Sequence, residues 1–407
     1  MGSPILPAGR CATFRAVPPP PHALREDPVG SYPEEWVAAF EEIRERPFRA
    51  RQVFRWIHTR SVAEPAHMTD IAKTLREKLA SWSMTMPATI LESRRAADDT
   101  RKVLVGFPGR EGSGTVETVL IPPMPDEDDG DDDEEAEPVV SGMRVAARKV
   151  TQCISTQVGC AMGCVFCASG VAGLKRHLTA GEIVAQVLLG RTLLDEGEAI
   201  RNVVLMGMGE PLHNYEAVAR ALRLLTHSDG LDLSSRRVTV STSGLVPEIE
   251  RLGREFNGEV ALAVSLHAPD DALRSRLMPI NRKHPLAELI GALRNYPLAR
   301  RRRITIEYTL LAGVNDRPEH ARAMVKLLRG LPVKVNLIPM NPVAGTPWQA
   351  PAREDVVAFQ SIVRDATGWG VFIRKTRGDE IDAACGQLAL HGAKPARRTL
   401  PVFEAPP

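Results

Sequence analysis

The stretch C-I-S-T-Q-V-G-C-A-M-G-C-V-F-C occupies residues 153–167 of the 407-residue chain. Within it, Cys160, Cys164 and Cys167 are spaced CxxxCxxC. Three thiolates on one short loop can each bind a separate iron of a cubane, and thiolate ligands select iron–sulfur clusters or zinc. The cubane's fourth iron then has no protein ligand and can chelate a small molecule. A structural zinc site wants four closed ligands. Cys153, seven residues before Cys160, is the available fourth. The clip is read as a [4Fe–4S] site, with zinc as the alternative.

Downstream of the clip, short β-branched runs alternate with amphipathic segments. The candidate strands are NVVLM (202–206), RVTVS (237–241), VALAVS (260–265), ITIEY (304–308), VKVNLI (333–338) and GVFIRK (370–375). The first intervening helix is marked by Thr179 and Glu182, a capping box ahead of IVAQVLL. Such alternation implies a parallel sheet with right-handed crossovers. The expectation is an α/β protein with a partial (β/α) barrel over 150–391. Polar, glycine-rich motifs follow the strands: GMGEP after NVVLM, STSG after RVTV, SLHA after ALAV and IPMNP after VKVNL. In (β/α) barrels the strand C-terminal ends carry the active site.

Upstream, EEWVAAFEEI, RARQVFRWIHTR and MTDIAKTLREKLASW predict a small helical domain over 31–90. Its middle helix carries Arg49, Arg51, Arg55 and Arg60, readable as a solvated face or as an RNA-contacting surface. Residues 91–149 read as a β-rich connector containing RKVLVGF and VETVLIP. Its segment 125–138 is strongly acidic, with ten of the twelve residues Asp126–Glu137 charged, and is expected to be a disordered loop. The proline-rich residues 1–30 and the tail 392–407 have no placed role.

Formal net charge is +2. Setting the ten acidic loop residues aside leaves 52 basic residues against about 40 acidic ones, a balance suited to a polyanionic partner. Lys175, Arg176 and His177 after the clip, and the run Arg300–Arg303, could contact phosphates or simply be solvated. There is no run of about 18 apolar residues and no secretory signal, so the expectation is a cytoplasmic protein without membrane association. Six cysteines in a chain this long do not make a disulfide scaffold.

The CxxxCxxC spacing resembles the radical S-adenosylmethionine (SAM) superfamily, whose open iron binds the amino and carboxylate groups of SAM. Phe166, just before the third cysteine, matches the superfamily pattern and sits either near the adenine or in plain core packing. GMGEP (Gly207–Pro211) resembles the superfamily's glycine-rich strand end. RKTRGDEIDAACGQLA (374–389), taken with the clip and GMGEP, closely resembles the RlmN/Cfr family of RNA adenosine methyltransferases. The likeness runs from about Val116 to Ala389.

The resemblance implies one [4Fe–4S] cluster per chain on Cys160, Cys164 and Cys167, and SAM as cofactor and methyl donor. Cys385 matches the cysteine that is first methylated and then carries the methyl group to adenine. Cys153 matches the cysteine that forms a transient disulfide with it, and Glu117 the proton acceptor. Gly209, Glu210, Ser241, Ser265, Leu266, His267 and Asn341 fall where the family contacts SAM. A covalent carrier suits the chemistry, because adenine C2 is electron-poor and no nucleophile toward SAM. The implied substrates are 23S rRNA and tRNA, methylated at adenosine C2. The implied reductant is a flavodoxin-type donor, and the implied state a monomer. RKTRG ahead of DEIDAAC points to the RlmN branch. Methylation at C8, as in the Cfr branch, is one alternative, and a non-catalytic zinc RNA-binding protein is another.

Overall fold

The computed structural model describes residues 24, 27–82, 84–108, 114–123, 147–343 and 346–388. The acidic segment 125–138, the tail 392–407 and most of 1–30 lie outside the described residues.

Twelve strands are described. They are β1 (Thr89–Arg95), β2 (Arg101–Gly106), β3 (Thr115–Ile121), β4 (Arg148–Cys153), β5 (Gln157–Val158), β6 (Arg176–His177), β7 (Glu198–Leu205), β8 (Val238–Thr242), β9 (Ala261–Ser265), β10 (Ile304–Leu310), β11 (Val333–Pro339) and β12 (Val371–Ile373). Ten form one sheet in the order β1-β2-β3-β4-β7-β8-β9-β10-β11-β12, and β5 pairs with β6 in a separate hairpin. From β4 onward all neighbours are parallel. The first four strands are mutually antiparallel. The six expected strands are β7 to β12, and β4 is a seventh parallel strand. With β1 and β12 at its two ends, the sheet is an open, partial (β/α) barrel.

The pleat sorts the residues. On β10 and β11, Ile306, Tyr308, Val335 and Leu337 are buried toward the outer helices, and the Tyr308 ring lies 5.3 Å from Phe359 of the helix Arg353–Thr367. Alternate positions, Thr305, Glu307, Thr309 and Asn336, face the barrel interior and are polar yet buried. The helix Ala180–Arg191 begins as expected. Glu182 N–H donates to Thr179 Oγ1 at 3.2 Å, and Thr179 N–H donates to Glu182 Oε2 at 2.9 Å.

The N-terminal helices are Pro33–Glu42, Pro47–Arg60 and Lys73–Ala80. The first two begin with proline, whose fixed φ and missing N–H suit a first turn. Trp36, Phe40, Phe54, Ile57 and Leu79 form their core. The module is fastened to the barrel by an Arg55–Asp229 ion pair, and by Arg191 Nη1 donating to His58 O at 3.1 Å. The arginines therefore divide: Arg49 lies over Phe48, Arg60 over Trp56, and Arg55 is paired, while Arg51 is exposed. Arg300–Arg303 precede β10, at the strand end opposite the functional motifs, and Arg302 donates to Gly258 O at 3.0 Å.

Candidate active site

The loop after β4 and the GMGEP turn after β7 are built against each other. Gly207 N–H donates to Ile154 O at 3.0 Å, and Thr156 N–H to Met208 O at 2.8 Å. Gly209 has φ +104°, and a Cβ there would lie 2.8 Å from Gln157 N. Glycine is required for both reasons. Glu210 is buried, and its two oxygens accept from Ser243 N–H (2.7 Å) and Leu212 N–H (3.1 Å). Gln157 accepts from Glu210 N–H at 2.8 Å and donates toward His177 and His213.

The clip is pinned from a distant helix. Val165 N–H donates to Leu277 O at 3.1 Å, and Trp348 Nε1 donates to Val165 O at 2.9 Å. Val165 and Phe166 pack with Ala268, Leu277, Met278, Leu311 and Trp348. Phe166 meets the His267 ring edge-on at 4.9 Å, so it is at once core and a wall of the site. His267 has φ +56°, and its Nδ1 accepts from Thr309 N–H at 2.9 Å. That places the neutral ring's proton on Nε2. Burial lowers the His267 pKa to about 3, so the ring stays neutral at physiological pH.

Cys160 is buried, and Cys164 and Cys167 are partly so. Burial pushes the Cys160 thiol up to about 12 and raises the other two. Burial raises the Cys164 thiol, and the charges of Cys167 and Cys160 raise it further. Among the described residues, no three His, Cys, Asp or Glu side chains are arranged to hold a metal ion. A cubane takes each thiolate on a different iron, so its ligands need not converge on one point. A thiol trio in an apolar pocket suits such a cluster: thiols costly to ionise alone become thiolates when a cation is bound.

Cys153 does not complete the trio. Its thiol feels the charge of Cys385. Cys385 in turn feels Glu307, Arg374 and Cys167. The tertiary fold thus brings the Cys385 loop near both Cys153 and the clip. Its loop is clamped on two sides. Ala168 N–H donates to Gly386 O at 2.9 Å, and Ser169 Oγ to Leu388 O at 2.7 Å, both from the helix Ala168–Ala172 directly after Cys167. Asn341 Nδ2 donates to Cys385 O at 3.1 Å, and Gln387 Nε2 to Pro342 O at 3.0 Å. Cys385 itself keeps solvent access, while the protein around it raises its thiol pKa.

The segment leading to Cys385 crosses from β12 back to the far end of the sheet. Gly378 N–H donates to Asp98 Oδ2 at 3.1 Å, Arg377 donates to Pro122 O, and Lys102 Nζ to Asp382 O at 3.3 Å. Lys102 also pairs with buried Glu117 at 3.2 Å. Glu117 is thereby linked through Lys102 to the Cys385 segment.

The other expected site residues cap the middle strands: Ser241 on β8, Ser265 ending β9, then Leu266 and His267. Sequence reasoning missed Glu307, Asn336 and Arg274. Ser265, Glu307 and Asn336 stand in one row across β9, β10 and β11. Asn336 Nδ2 donates to Glu307 Oε1 at 2.9 Å, and burial raises the Glu307 pKa. A lone glutamate inside the apolar run ITIEYTL was a usable signal.

The open parallel barrel, with a three-cysteine clip facing a glycine-rich strand end, defines a radical SAM enzyme. The model of the Radical SAM superfamily matches residues 154–326. That of the Ribosomal RNA large subunit methyltransferase N-terminal domain matches residues 32–84. The chain is 59% identical over 385 residues to a dual-specificity RNA methyltransferase RlmN of Sorangium cellulosum, covering 92% of this chain and 98% of the relative. It is 45% identical over 388 residues to that of Anaeromyxobacter dehalogenans, covering 93% and 96%. The crystal structure of a radical SAM methyltransferase from Sphaerobacter thermophilus superposes with a TM-score of 0.78 at 42% identity, over 88% of this chain and 98% of that one. The chain belongs to the RlmN family of radical SAM RNA methyltransferases. Among the described residues no helix is long and apolar enough to cross a membrane.

Proposed function

We propose that this enzyme methylates adenosine C2 in 23S rRNA and in tRNA through a methyl group carried on Cys385. The carrying observation is the 2.9 Å hydrogen bond from Ala168 N–H, next to Cys167, to Gly386 O, next to Cys385, which seats the Cys385 loop against the clip. Cys160, Cys164 and Cys167 would hold one [4Fe–4S] cluster, and Gly209, Glu210, Ser241, Ser265, Leu266, His267 and Asn341 would line the SAM site. When bound, cluster and SAM supply a 5′-deoxyadenosyl radical on one-electron reduction.

Cys385 acts twice. As a thiolate it first takes the methyl group of a SAM substrate: the sulfonium C–S bond breaks, a new S–CH₃ bond forms, and S-adenosylhomocysteine leaves. One hydrogen atom of the S-methyl group would pass to the deoxyadenosyl radical that the bound cofactors supply. The carbon radical left on Cys385 bonds to adenine C2, and the adduct gives up one electron, which the bound cluster would take back. Glu117, poised by Lys102, accepts the C2 proton. The Cys153 thiolate then attacks the Cys385 sulfur: the bond from that sulfur to the carbon on C2 breaks, a Cys153–Cys385 disulfide forms, and the released carbon takes up a proton to complete the methyl group. The tight loop clamps at Asn341 and Ser169 keep this carbon at high effective concentration. A flavodoxin-type donor would supply the electron, and the protein would work as a cytoplasmic monomer.

The test is anaerobic reconstitution with methyl-labelled SAM and RNA, followed by mapping the label by mass. Label on Cys385 and then on adenine C2 is the expected result. Label on C8 would replace the C2 assignment. Label on RNA without passage through Cys385 would end the carrier role.

A further inference from the structure

Arg274 lies in the short helix Asp271–Leu277 and is fully buried. Its guanidinium donates four times. Nε reaches Leu266 O at 3.1 Å, Nη1 reaches Asn281 Oδ1 at 2.7 Å, and Nη2 reaches Ser243 O at 2.7 Å and Ser265 O at 3.0 Å. Three of these acceptors are main-chain carbonyls at the C-terminal ends of β8 and β9. The same helix holds the clip, since Leu277 O accepts from Val165 N–H. One side chain therefore joins the SAM-side strand ends to the cluster-side loop.

Its charge is the second observation. A buried cation is costly unless an anion compensates it. All four acceptors are neutral, and among the described residues Arg274 forms no ion pair with a carboxylate. The Asp271 carboxylate is engaged by Asn281 Nδ2 and Leu286 N–H, each at 2.8 Å. Burial pulls the Arg274 pKa down to about 10, and the groups acting to raise it are first Cys164, then Asp271. The helix of Arg274 is hydrogen-bonded to Val165, the residue after Cys164, so an anionic cluster on the clip would be a neighbouring counter-charge.

We propose that Arg274 is a positioning residue that fixes the ends of β8 and β9 against the clip and supplies the positive charge that the ionised clip needs. The inference rests on reading the clip as an iron–sulfur site. A fixed cation near a cluster favours its reduced, more negative state, so Arg274 raises the cluster's reduction potential.

The experiment uses the full-length protein, reconstituted anaerobically, with R274K and R274M beside the wild type. Iron per chain, midpoint potential and the KM for SAM are measured. A wild type that binds no iron would remove the cluster reading itself, independently of Arg274. With iron bound, R274K is expected to keep the potential but raise the KM for SAM about tenfold, because an ammonium cannot span a planar fork of acceptors. R274M is expected to raise the KM and also to disfavour reduction about tenfold, a shift of about 59 mV for one electron. Wild-type potential in R274M, or wild-type KM in R274K, would overturn the proposal. If melting curves show R274M to be unfolded, R274Q takes its place under the same criteria.

Discussion

The two cysteine groups of this enzyme are assembled in different ways. Cys160, Cys164 and Cys167 sit on one loop, and their spacing alone makes them neighbours. Cys153 and Cys385 lie at opposite ends of the barrel sequence and come near each other because the segment after β12 returns across the open sheet. The clip's outer support is apolar packing around Val165 and Phe166. The Cys385 loop is held instead by polar clamps from Asn341, Ser169 and Gln387. Those clamps are buried while Cys385 itself is exposed, an arrangement that suits the carrier role proposed for it. A metal-binding trio needs permanence, and a carrier needs placement with room to react.

The largest effects break this comparison outright. Cys164→Ala should abolish iron binding and all SAM cleavage. Cys385→Ala should keep iron and SAM cleavage yet lower RNA methylation by at least about a thousandfold. Iron content and radiolabel transfer separate the two, and methyl transfer by the Cys385→Ala protein would refute the carrier role. Asn341→Ala removes the side chain that donates to Cys385 O and accepts from Thr376 Oγ1. A misplaced carrier should lower single-turnover methylation about tenfold to a hundredfold at unchanged iron content. An unaffected rate would show that the remaining clamps suffice.

Acid–base behaviour supplies the smaller effects. The Cys385 thiol pKa is raised by burial and then by Glu307. Below that pKa the thiolate fraction grows about tenfold per pH unit. Labelling of Cys385 from SAM without RNA should therefore rise about tenfold from pH 7 to 8, and a flat profile would count against thiolate attack. Two buried histidines sharpen the picture at low pH. Burial lowers His58 and His267 to about 3, against about 6.5 in the unfolded chain. The unfolded state then binds more protons, so this stability is complete above about pH 6.5. It is lost as pH falls toward 3, by about 1.4 kcal/mol per histidine per unit. His58 stacks on Phe54 at 4.2 Å outside the active site. His58→Phe should move acid unfolding to lower pH without altering iron binding, as followed by circular dichroism.

What stayed hidden from sequence reasoning had physical causes. β1 reads TILESRR and is exposed along nearly its whole length, so no alternation marks it. Arg274 sits among other charged residues in DALRSRLMPINR and resembles a solvated helix face; only the packed fold buries it. Lys102, in RKVLVGF, gains its meaning from two partners remote in sequence, Glu117 and Asp382.

By itself, the sequence determined the features that depend on short covalent spacing. These are the three-thiolate clip, the Thr179–Glu182 cap, the glycine that admits the 154–157 backbone at Gly209, and six parallel strands with their polar ends. Only the tertiary structure decided that β4 joins those strands and that the Cys385 loop is seated against the helix after Cys167. It also set Arg274 beneath the C-terminal ends of β8 and β9. The reason is range: local spacing is set by bond geometry, whereas these pairings depend on sheet order and on a returning segment whose anchors lie hundreds of residues away.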